Sequence, residues 1–472
     1  LHKTMAGESL SETSPLLEHA LVYQRFSRRM KWVIVALVAW CGLMPLFVAG
    51  AFMPSIPQIA EDLDTTGSIV SLAVSVHIFS TSIGALSGAA YSTFCKRIVY
   101  LVMLPLFCIG SFGVARSASV PELLTWRFVQ AFGTSPGLSL GAGVIGDIFQ
   151  LEERGTAMGV FFSVYNVFLR ILKASLLGPA LAPPVGGFFT QYSTWRVLQL
   201  VLGITGCGIF ALISMFFPET SHPGSRGIDK IPDGQSKIVF VNPMRPIALF
   251  RSPNLFLVSL SGFLVLLTDY ILLVPLAYTI GARYHITSTA IIGACFLPSG
   301  LGNMIGAPLA GRLSDRVVVA WRARRGGKWY PEDRLRAAIY GALIFIPLPM
   351  LGFGLLIEYV PGMFGLILTL VCLFVHGVGI DIALSPSAAY TVDVMHSRSA
   401  EAMAAMMGLR ALMLSVCVSG VLPAIETFGV LSTNSAAALM SWVACLILWL
   451  MIQFGTELRA WVDVGYSTAE NN

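Results

Sequence analysis

The chain has 472 residues, of which 56% are hydrophobic and only 12% are charged, and its mean hydropathy is +0.76. A soluble globular chain carries about 25% charged residues, so this composition excludes a soluble protein and predicts an integral membrane protein. The motifs GxxxxGK[ST] and HExxH do not occur, which excludes a nucleotide-driven pump and a common class of metalloprotease. The eight cysteines are scattered through apolar runs and predict neither disulfides nor a metal site. We therefore expect a protein that is not an enzyme, with no catalytic residues, no metal, no cofactor and no nucleic-acid partner.

Twelve apolar runs are long enough to cross a bilayer core of about 30 Å, which needs about 20 helical residues. They are 33–55, 68–90, 98–115, 121–146, 155–189, 195–217, 254–280, 289–311, 337–357, 363–386, 402–423 and 433–455. The sequence therefore predicts an all-α membrane protein with twelve transmembrane helices, which we call spans one to twelve.

Basic residues concentrate on one side of the predicted spans, as they do in cytoplasmic loops. With the amino terminus inside, the inner segments hold 23 of the 30 Lys and Arg residues, while three lie in outer loops and four inside spans. This distribution predicts that both termini are cytoplasmic, in the plasma membrane or, alternatively, the vacuolar membrane. The predicted parts are a disordered cytoplasmic tail that is no cleavable signal (1–30), a six-helix half (31–217), a cytoplasmic linker (218–253), a second six-helix half (254–456) and a cytoplasmic tail (457–472).

A stripe of small residues on span two recurs on span eight. Ser80, Gly84 and Gly88 correspond to Gly302, Gly306 and Ala310, 222 residues later, and both stripes run into a basic loop. Small residues four apart allow two helix backbones to approach closely. The recurrence favours two duplicated transporter halves.

Three motifs resemble signatures of the major facilitator superfamily. Residues 126–133 on span four read WRFVQAFG, similar to RxxQGxG, and 177–187 on span five read LGPALAPPVGG, similar to the antiporter signature GPxxGPxxGG. Residues 311–316 read GRLSDR and match the gating signature GxLxDR. The chain is identified as a member of this superfamily that resembles its fungal, twelve-span drug:proton antiporter branch over about residues 31–456. The resemblance implies two halves that alternate access to a central site.

Two features depart from the family pattern. The gating loop of the first half has Ser92 or Thr93 where the motif has Asp, so a salt-bridge latch is not expected there. Span one has no acidic residue between Trp32 and Pro57, so recognition of cations by an acid on that helix does not carry over.

Ionisable side chains inside a membrane are costly and tend to face a partner or an aqueous cavity. On span four, Arg127 is a permanent cation that either faces the cavity or holds helices together. On span seven, Asp269 is either a proton or substrate site or a structural hydrogen-bonding group. The residues that we expect along the substrate and proton pathway are Arg127, Gln130, Asp269, Tyr270, Asn303, His376, Asp381 and Arg410, with His77 as a weaker candidate. Two arginines and no acid on span one favour anionic or zwitterionic ligands mildly.

Closure of the pathway is expected to depend on two segments. Prolines bend span five and small residues form a seam along it, which predicts a tightly closed pivot. The predicted gating residues are Gly178, Pro179, Pro183, Pro184, Gly186, Gly187, Asp315 and Arg316.

Span five, 155–189, is too long for a bilayer, and removal of 165–175 would restore its length. That segment is interpreted as an insertion or as a gene-model error.

With no nucleotide site, transport must draw on an ion gradient. The sequence predicts a monomeric, proton-coupled exporter of small organic molecules. The alternatives are an exporter of an organic acid or secondary metabolite, and a sensor built on a transporter body that carries nothing.

Overall fold

The computed structural model describes residues 23, 25–92, 95–149, 153, 177–221, 245–395 and 399–462, and these residues form helices and the turns between them. In the first half the helices are Arg28–Phe52 with Ile56–Asp62 (span one), Gly67–Ser92 (two), Lys96–Arg116 (three), Val120–Thr134 with Pro136–Ile148 (four), Leu177–Tyr192 (five) and Trp195–Phe216 (six). In the second half they are Pro253–Leu273 with Leu276–Arg283 (seven), Thr289–Ala294 with Leu297–Arg324 (eight), Leu335–Tyr340 with Pro347–Tyr359 (nine), Gly362–Val394 (ten), Ser399–Ser419 with Val421–Phe428 (eleven) and Val430–Trp461 (twelve).

Among the described residues, ten helices or joined helices are long and apolar enough to cross a membrane. Spans four and five complete the twelve: span four is divided at Ser135, and only the last 16 residues of span five are described. The predicted fold of twelve membrane helices is confirmed. The proposed insertion at 165–175 lies outside the described residues.

Proline explains where several spans break. Pro54, Pro136 and Pro347 each occupy one of the first two positions of a new helical segment. Proline lacks the amide proton that would continue the preceding helix, but it is favoured in the first turn of the next one. The breaks therefore follow directly from the sequence, and each bends its span near the middle or the end.

Because the number of spans is even, both ends of the described chain lie on one side of the bundle. We call the side that carries Arg28 and Trp461 the terminal face, and the side that carries the 63–66 turn the far face. Span one begins at Arg28 and span twelve ends at Trp461, so the helices extend a few residues into the segments predicted as tails.

The small-residue stripes pack against corresponding spans in the two halves. A Cβ added at Gly84 or Gly88 would collide with Ser135 or Pro136 of span four. In the second half, a Cβ added at Gly302 would lie 2.2 Å from the carbonyl oxygen of Phe374 on span ten. Spans two and four thus repeat as spans eight and ten, which agrees with the duplication inferred from the sequence.

Candidate functional site

A cavity of about 460 Å³ lies in the middle of the bundle, between the two halves. Spans one, two and four line it from the first half, and spans seven, ten and eleven line it from the second. Most of the lining is apolar, as at Leu46, Ile78, Leu266 and Leu414. The volume is within the range of about 300–1,000 Å³ that is usual for small-molecule sites.

Two of the predicted pathway residues, Tyr270 and Arg410, line this cavity. His77, the weaker candidate, also lines it, next to Thr81 one turn further along span two. The other pathway residues are not among the lining residues. They belong to two buried polar clusters, one in each half.

The first-half cluster is centred on Arg127, whose side chain is only 1% exposed. Its Nη1 donates to Oε1 of Gln130 at 2.9 Å, and its guanidinium carbon lies 4.1 Å from the centre of the Phe52 ring. Gln130 in turn donates to Oγ of Ser111 at 2.9 Å and to Oε1 of Gln199 at 2.8 Å. The network joins spans one, three, four and six and so connects helices of the first half, and Arg127 is not among the residues that line the cavity. No carboxylate of the described residues lies within ion-pair distance of Arg127.

The second-half cluster joins spans seven, eight and ten. Nδ1 of His376 lies 3.8 Å from Oδ1 of Asp269, and Nε2 of His376 lies 3.2 Å from Oγ1 of Thr268. Asp381 is close enough to Asp269 for their charges to interact. Asp269 of span seven thus lies near His376 and interacts with the charge of Asp381, both on span ten.

Asn303 approaches this cluster from span eight. A Cβ added at Gly377, beside His376, would lie 3.1 Å from Oδ1 of Asn303. Within the part of the chain that the structure describes, buried oxygens of Asp269, Asn303 and Asp381 accept no hydrogen bond. The carboxylates of Asp269 and Asp381 can bind a proton, whereas the amide oxygen of Asn303 can only accept a hydrogen bond, so the two acids give the cluster the chemistry of a proton-binding site.

Span five forms a contact between the halves through Ala180, Pro183 and Gly187, which lie beside the predicted seam of Gly178, Ala182 and Gly186. A Cβ added at Gly187 would lie 2.3 Å from the carbonyl oxygen of Thr289, and one at Gly293 would lie 2.7 Å from that of Pro183. One added at Gly300 would lie 2.4 Å from Cα of Ala180. On its other side, span five packs against span one through Gly186.

Pro184 lies in the same helix, and Gly178 and Pro179 fall in its first turn. The small residues of span five thus allow two helix backbones, one from each half, to pack on it.

The far face is closed. A continuous apolar cluster includes Phe52 and Ile59 of span one, Phe263 of span seven, Ile292 of span eight and Leu422 of span eleven.

Hydrogen bonds tie the halves together at the same face. Oγ of Ser68 donates to Oε1 of Glu426 at 2.6 Å, and the amide of Thr289 donates to Oε1 of Gln191 at 2.8 Å. These contacts separate the cavity from the far side of the membrane.

At the terminal face of the second half, the gating motif makes only a weak pair. Nη1 of Arg334 lies 3.3 Å from Oδ1 of Asp315, whose side chain is 74% exposed. Arg334 makes its closer ion pair with Asp393 of span ten. Arg316 is exposed. Asp315 thus pairs with span nine of its own half.

The first half does have an ion pair at its terminal face, contrary to the expectation drawn from Ser92 and Thr93. Nζ of Lys96 lies 2.6 Å from Oδ2 of Asp147, and both side chains are about six-sevenths buried, at 13% and 15% exposure. The pair links the start of span three with the end of span four. Sequence reasoning missed it because the partners are 51 residues apart.

Beside this pair, Glu219 follows span six and accepts hydrogen bonds from the thiol of Cys95 at 2.7 Å and the amide of Arg97 at 3.0 Å. Burial alone would raise the pKa of Glu219, but these donors and Ser221 outweigh it and lower the pKa below its usual value. An ionised Glu219 therefore binds the turn between spans two and three.

Comparisons with known proteins agree with this architecture. The chain is 27% identical to the efflux pump radE of Floropilus chiversii over 91% of this chain and 81% of that protein. It is 25% identical to the multidrug transporter AQR1 of Candida glabrata over 73% of this chain and 62% of that protein, so it spans less than two thirds of the latter's length.

Among solved structures, a bacterial homologue of the human lysosomal transporter Spinster, in an inward-facing and unoccupied conformation, matches with a TM-score of 0.65 at 13% identity. The match covers 92% of this chain and 99% of that chain, and it shows the shared fold. The profile of the Major Facilitator Superfamily matches residues 38–418. The chain therefore belongs to the Major Facilitator Superfamily and is a multi-pass membrane transporter.

Proposed function

We propose that this protein is a proton-coupled exporter of small organic molecules that works by alternating access of its two halves. The observation that carries the proposal is the central cavity, which three spans from each half line and which an apolar cluster closes at the far face. A site shared by two halves can open to either side when the halves rotate about it. The names of the two fungal relatives, an efflux pump and a multidrug transporter, support export as the direction.

The second-half cluster supports proton coupling through Asp269. The hydroxyl of Thr268 already donates to the carbonyl of Val265 at 2.7 Å, so it accepts from Nε2 of His376. Nδ1 of the neutral ring then presents a lone pair toward Asp269, 3.8 Å away. An ionised carboxylate and a lone pair repel each other, so the pair is stable only when one of the two groups holds a proton. We assign that proton to Asp269, with Asp381 as the neighbouring acceptor.

The position of Asp269 links the proton to the substrate. Tyr270, the next residue, lines the cavity, while Asp269 faces span ten. A rotation of span seven that follows the loss or gain of a proton must therefore move a residue of the cavity wall. Substrate transport would be coupled to proton transfer because Asp269 and Tyr270 lie on the same helix, so a movement of one moves the other.

The orientation follows from the charge distribution. We propose that the terminal face is cytoplasmic, in the plasma membrane, and that the structure is closed to the outside. Protease accessibility of tags at the two termini in intact and permeabilised cells tests this orientation.

Flux in reconstituted vesicles is the direct test of the function. Efflux of a panel of organic anions, cations and neutral compounds from cells, with and without a protonophore, selects a substrate. The purified protein in liposomes should then drive accumulation of that compound when a proton gradient is imposed, and Asp269→Asn should not. Proton-independent flux would contradict the coupling. A protein that moves no compound of the panel would support the alternative of a sensor.

A further inference from the structure

Arg410 is a buried cation that the described part of the protein leaves without a counterion. Its side chain is 7% exposed and lines the central cavity from span eleven. Its Nε donates to the carbonyl of Met406, one turn earlier on its own helix, at 3.4 Å. Among the described residues, no carboxylate lies within ion-pair distance of its guanidinium. A guanidinium keeps its proton in practice, so an anion that enters the cavity would find an unpaired positive charge there.

The cavity wall contains no acid that could play this part. The sixteen described residues that line it include neither Asp nor Glu. A cationic ligand in this cavity would meet a like charge with nothing to offset it.

The remaining wall defines the rest of the ligand. Aliphatic side chains from both halves cover most of it, and they favour an apolar body of the size that about 460 Å³ admits. Hydroxyl groups are contributed by Thr81, Ser135, Tyr270 and Ser385. One permanent positive charge among the described lining residues matches one negative charge on the ligand.

We propose that the central cavity binds amphipathic organic monoanions, with a carboxylate or sulfonate group held by Arg410 and an apolar body held by the aliphatic wall. The proposal rests on the proposed function only in taking this cavity as the substrate site. A planar guanidinium with several N–H donors binds such oxyanions through paired hydrogen bonds, which a lysine ammonium cannot reproduce.

Three probes with one apolar body test the charge preference in the purified protein. They are naphthalene-2-sulfonate, naphthalene-2-sulfonamide and 2-naphthyltrimethylammonium, with charges of −1, 0 and +1. Equilibrium dialysis should show that the wild-type protein binds the sulfonate about tenfold or more tighter than the sulfonamide, and the ammonium most weakly.

Variants locate the preference. Arg410→Gln should bind the sulfonate and the sulfonamide equally, and Arg410→Lys should keep part of the preference. Arg116→Gln removes the same charge from an exposed position at the end of span three and should behave as wild type. If Arg410→Gln does not fold, the three-probe series on the wild-type protein and Arg410→Lys still decides the question.

The proposal is overturned if the ammonium probe binds as tightly as the sulfonate, if Arg410→Gln keeps the preference, or if the wild-type protein binds none of the probes. Transport is measured separately with the same probes in liposomes. Binding of the sulfonate without flux leaves the assignment of Arg410 standing and contradicts the proposed transport. Proton-driven flux of the ammonium alone leaves the transport standing and contradicts the anion site.

Discussion

Arg127 and Arg410 are both buried arginines, but they have different surroundings. Arg127 is held by Gln130 and by the ring of Phe52 inside the first half, whereas Arg410 borders the cavity between the halves. The first therefore stabilises the arrangement of spans one, three, four and six around it. The second remains available to a ligand.

Replacement of Arg127 by Lys should weaken this arrangement although the charge is kept. A point charge cannot donate to Gln130 and stack on Phe52 in the same geometry, so a buried partner is left unsatisfied at a cost of roughly 1–3 kcal/mol. We expect a lower thermal unfolding temperature and reduced transport, measured on the purified variant. A Lys variant with wild-type stability and flux would show that charge alone matters at this position.

Replacement of Asp269 by Asn should uncouple transport from protons. The amide has the shape of the acid, can donate to Nδ1 of His376 and never titrates, so it mimics the protonated state permanently. We expect loss of proton-driven accumulation with ligand binding and substrate exchange retained. Asp64→Asn, which removes an exposed acid at the far face, is the matched control. Normal proton-driven accumulation by Asp269→Asn would refute the assignment.

At this scale the sequence selected candidate side chains but could not place them in the fold. Tyr270 and Arg410 could be picked out because polar groups are rare inside membrane helices, and both line the cavity. The location of Arg127 behind the cavity wall could not be predicted, because it depends on the rotation of span four against spans three and six. The motif on span four is compatible with an Arg127 that faces the cavity and with one that faces the neighbouring helices.

Among the described helices, spans five and eight form a close contact between the two halves. Backbone atoms meet there because Gly187, Gly293 and Gly300 have no side chain to separate them. Within a membrane, such packing is a main source of association between helices. The sequence predicted a seam of Gly178, Ala182 and Gly186 on span five, but Ala182 and Gly186 pack on span one, so the contact with span eight was not predicted.

Replacement of Gly300 by Ala should disturb this contact. The added Cβ would lie 2.4 Å from Cα of Ala180, so one backbone must move. Overpacking of this kind costs about 1–3 kcal/mol, and we expect a lower unfolding temperature and slower transport. Gly208→Ala is the control, since a Cβ on that exposed glycine of span six meets no described atom within 4 Å. Equal effects of Gly300→Ala and Gly208→Ala would contradict the importance of the contact between spans five and eight.

The ion pairs of the terminal face should differ in importance between the halves, in the opposite sense to that suggested by the motifs. Asp147→Asn removes the negative charge beside the partly buried Lys96, whose Nζ keeps its hydrogen bond to the carbonyl of Gly143, at a cost of roughly 1–3 kcal/mol. Asp315→Asn removes an exposed pair, which contributes only about 0–1 kcal/mol. Thermal unfolding of both variants measures the difference, and a larger loss for Asp315→Asn would contradict it. The pair of Lys96 and Asp147 was missed because contacts across 51 residues leave no local pattern.

For the whole molecule, the fold was predictable because apolar runs, prolines and basic loops define membrane helices one by one. The duplication was also visible, since the stripe of span two recurs on span eight. The closed far face was not, because the apolar cluster that closes it combines residues from spans of both halves. This cluster belongs to one conformation, whereas the proposed alternating access requires the same sequence to adopt at least two conformations.

The energy available is sufficient for export. One proton that moves down about 100 mV releases about 2.3 kcal/mol, and one pH unit adds about 1.4 kcal/mol. This sum sustains a gradient of a neutral solute of roughly 500-fold. An inside-negative potential drives a monoanion outward, so its export adds about 2.3 kcal/mol and raises the limit to roughly 20,000-fold.

The central claim is that protonation or deprotonation of Asp269 opens the bundle at one face and closes it at the other. Spin labels at Glu61 and Thr427 report the distance between the halves at the far face, and labels at Tyr91 and Val319 report it at the terminal face. The labels are introduced on a background in which the exposed Cys207 and Cys417 are replaced by Ser.

The account predicts that a change of pH lengthens one distance and shortens the other in the otherwise unaltered protein. In Asp269→Asn the same change of pH should leave both distances fixed. Distances that do not respond to pH in either protein, or that respond equally in both, would contradict it.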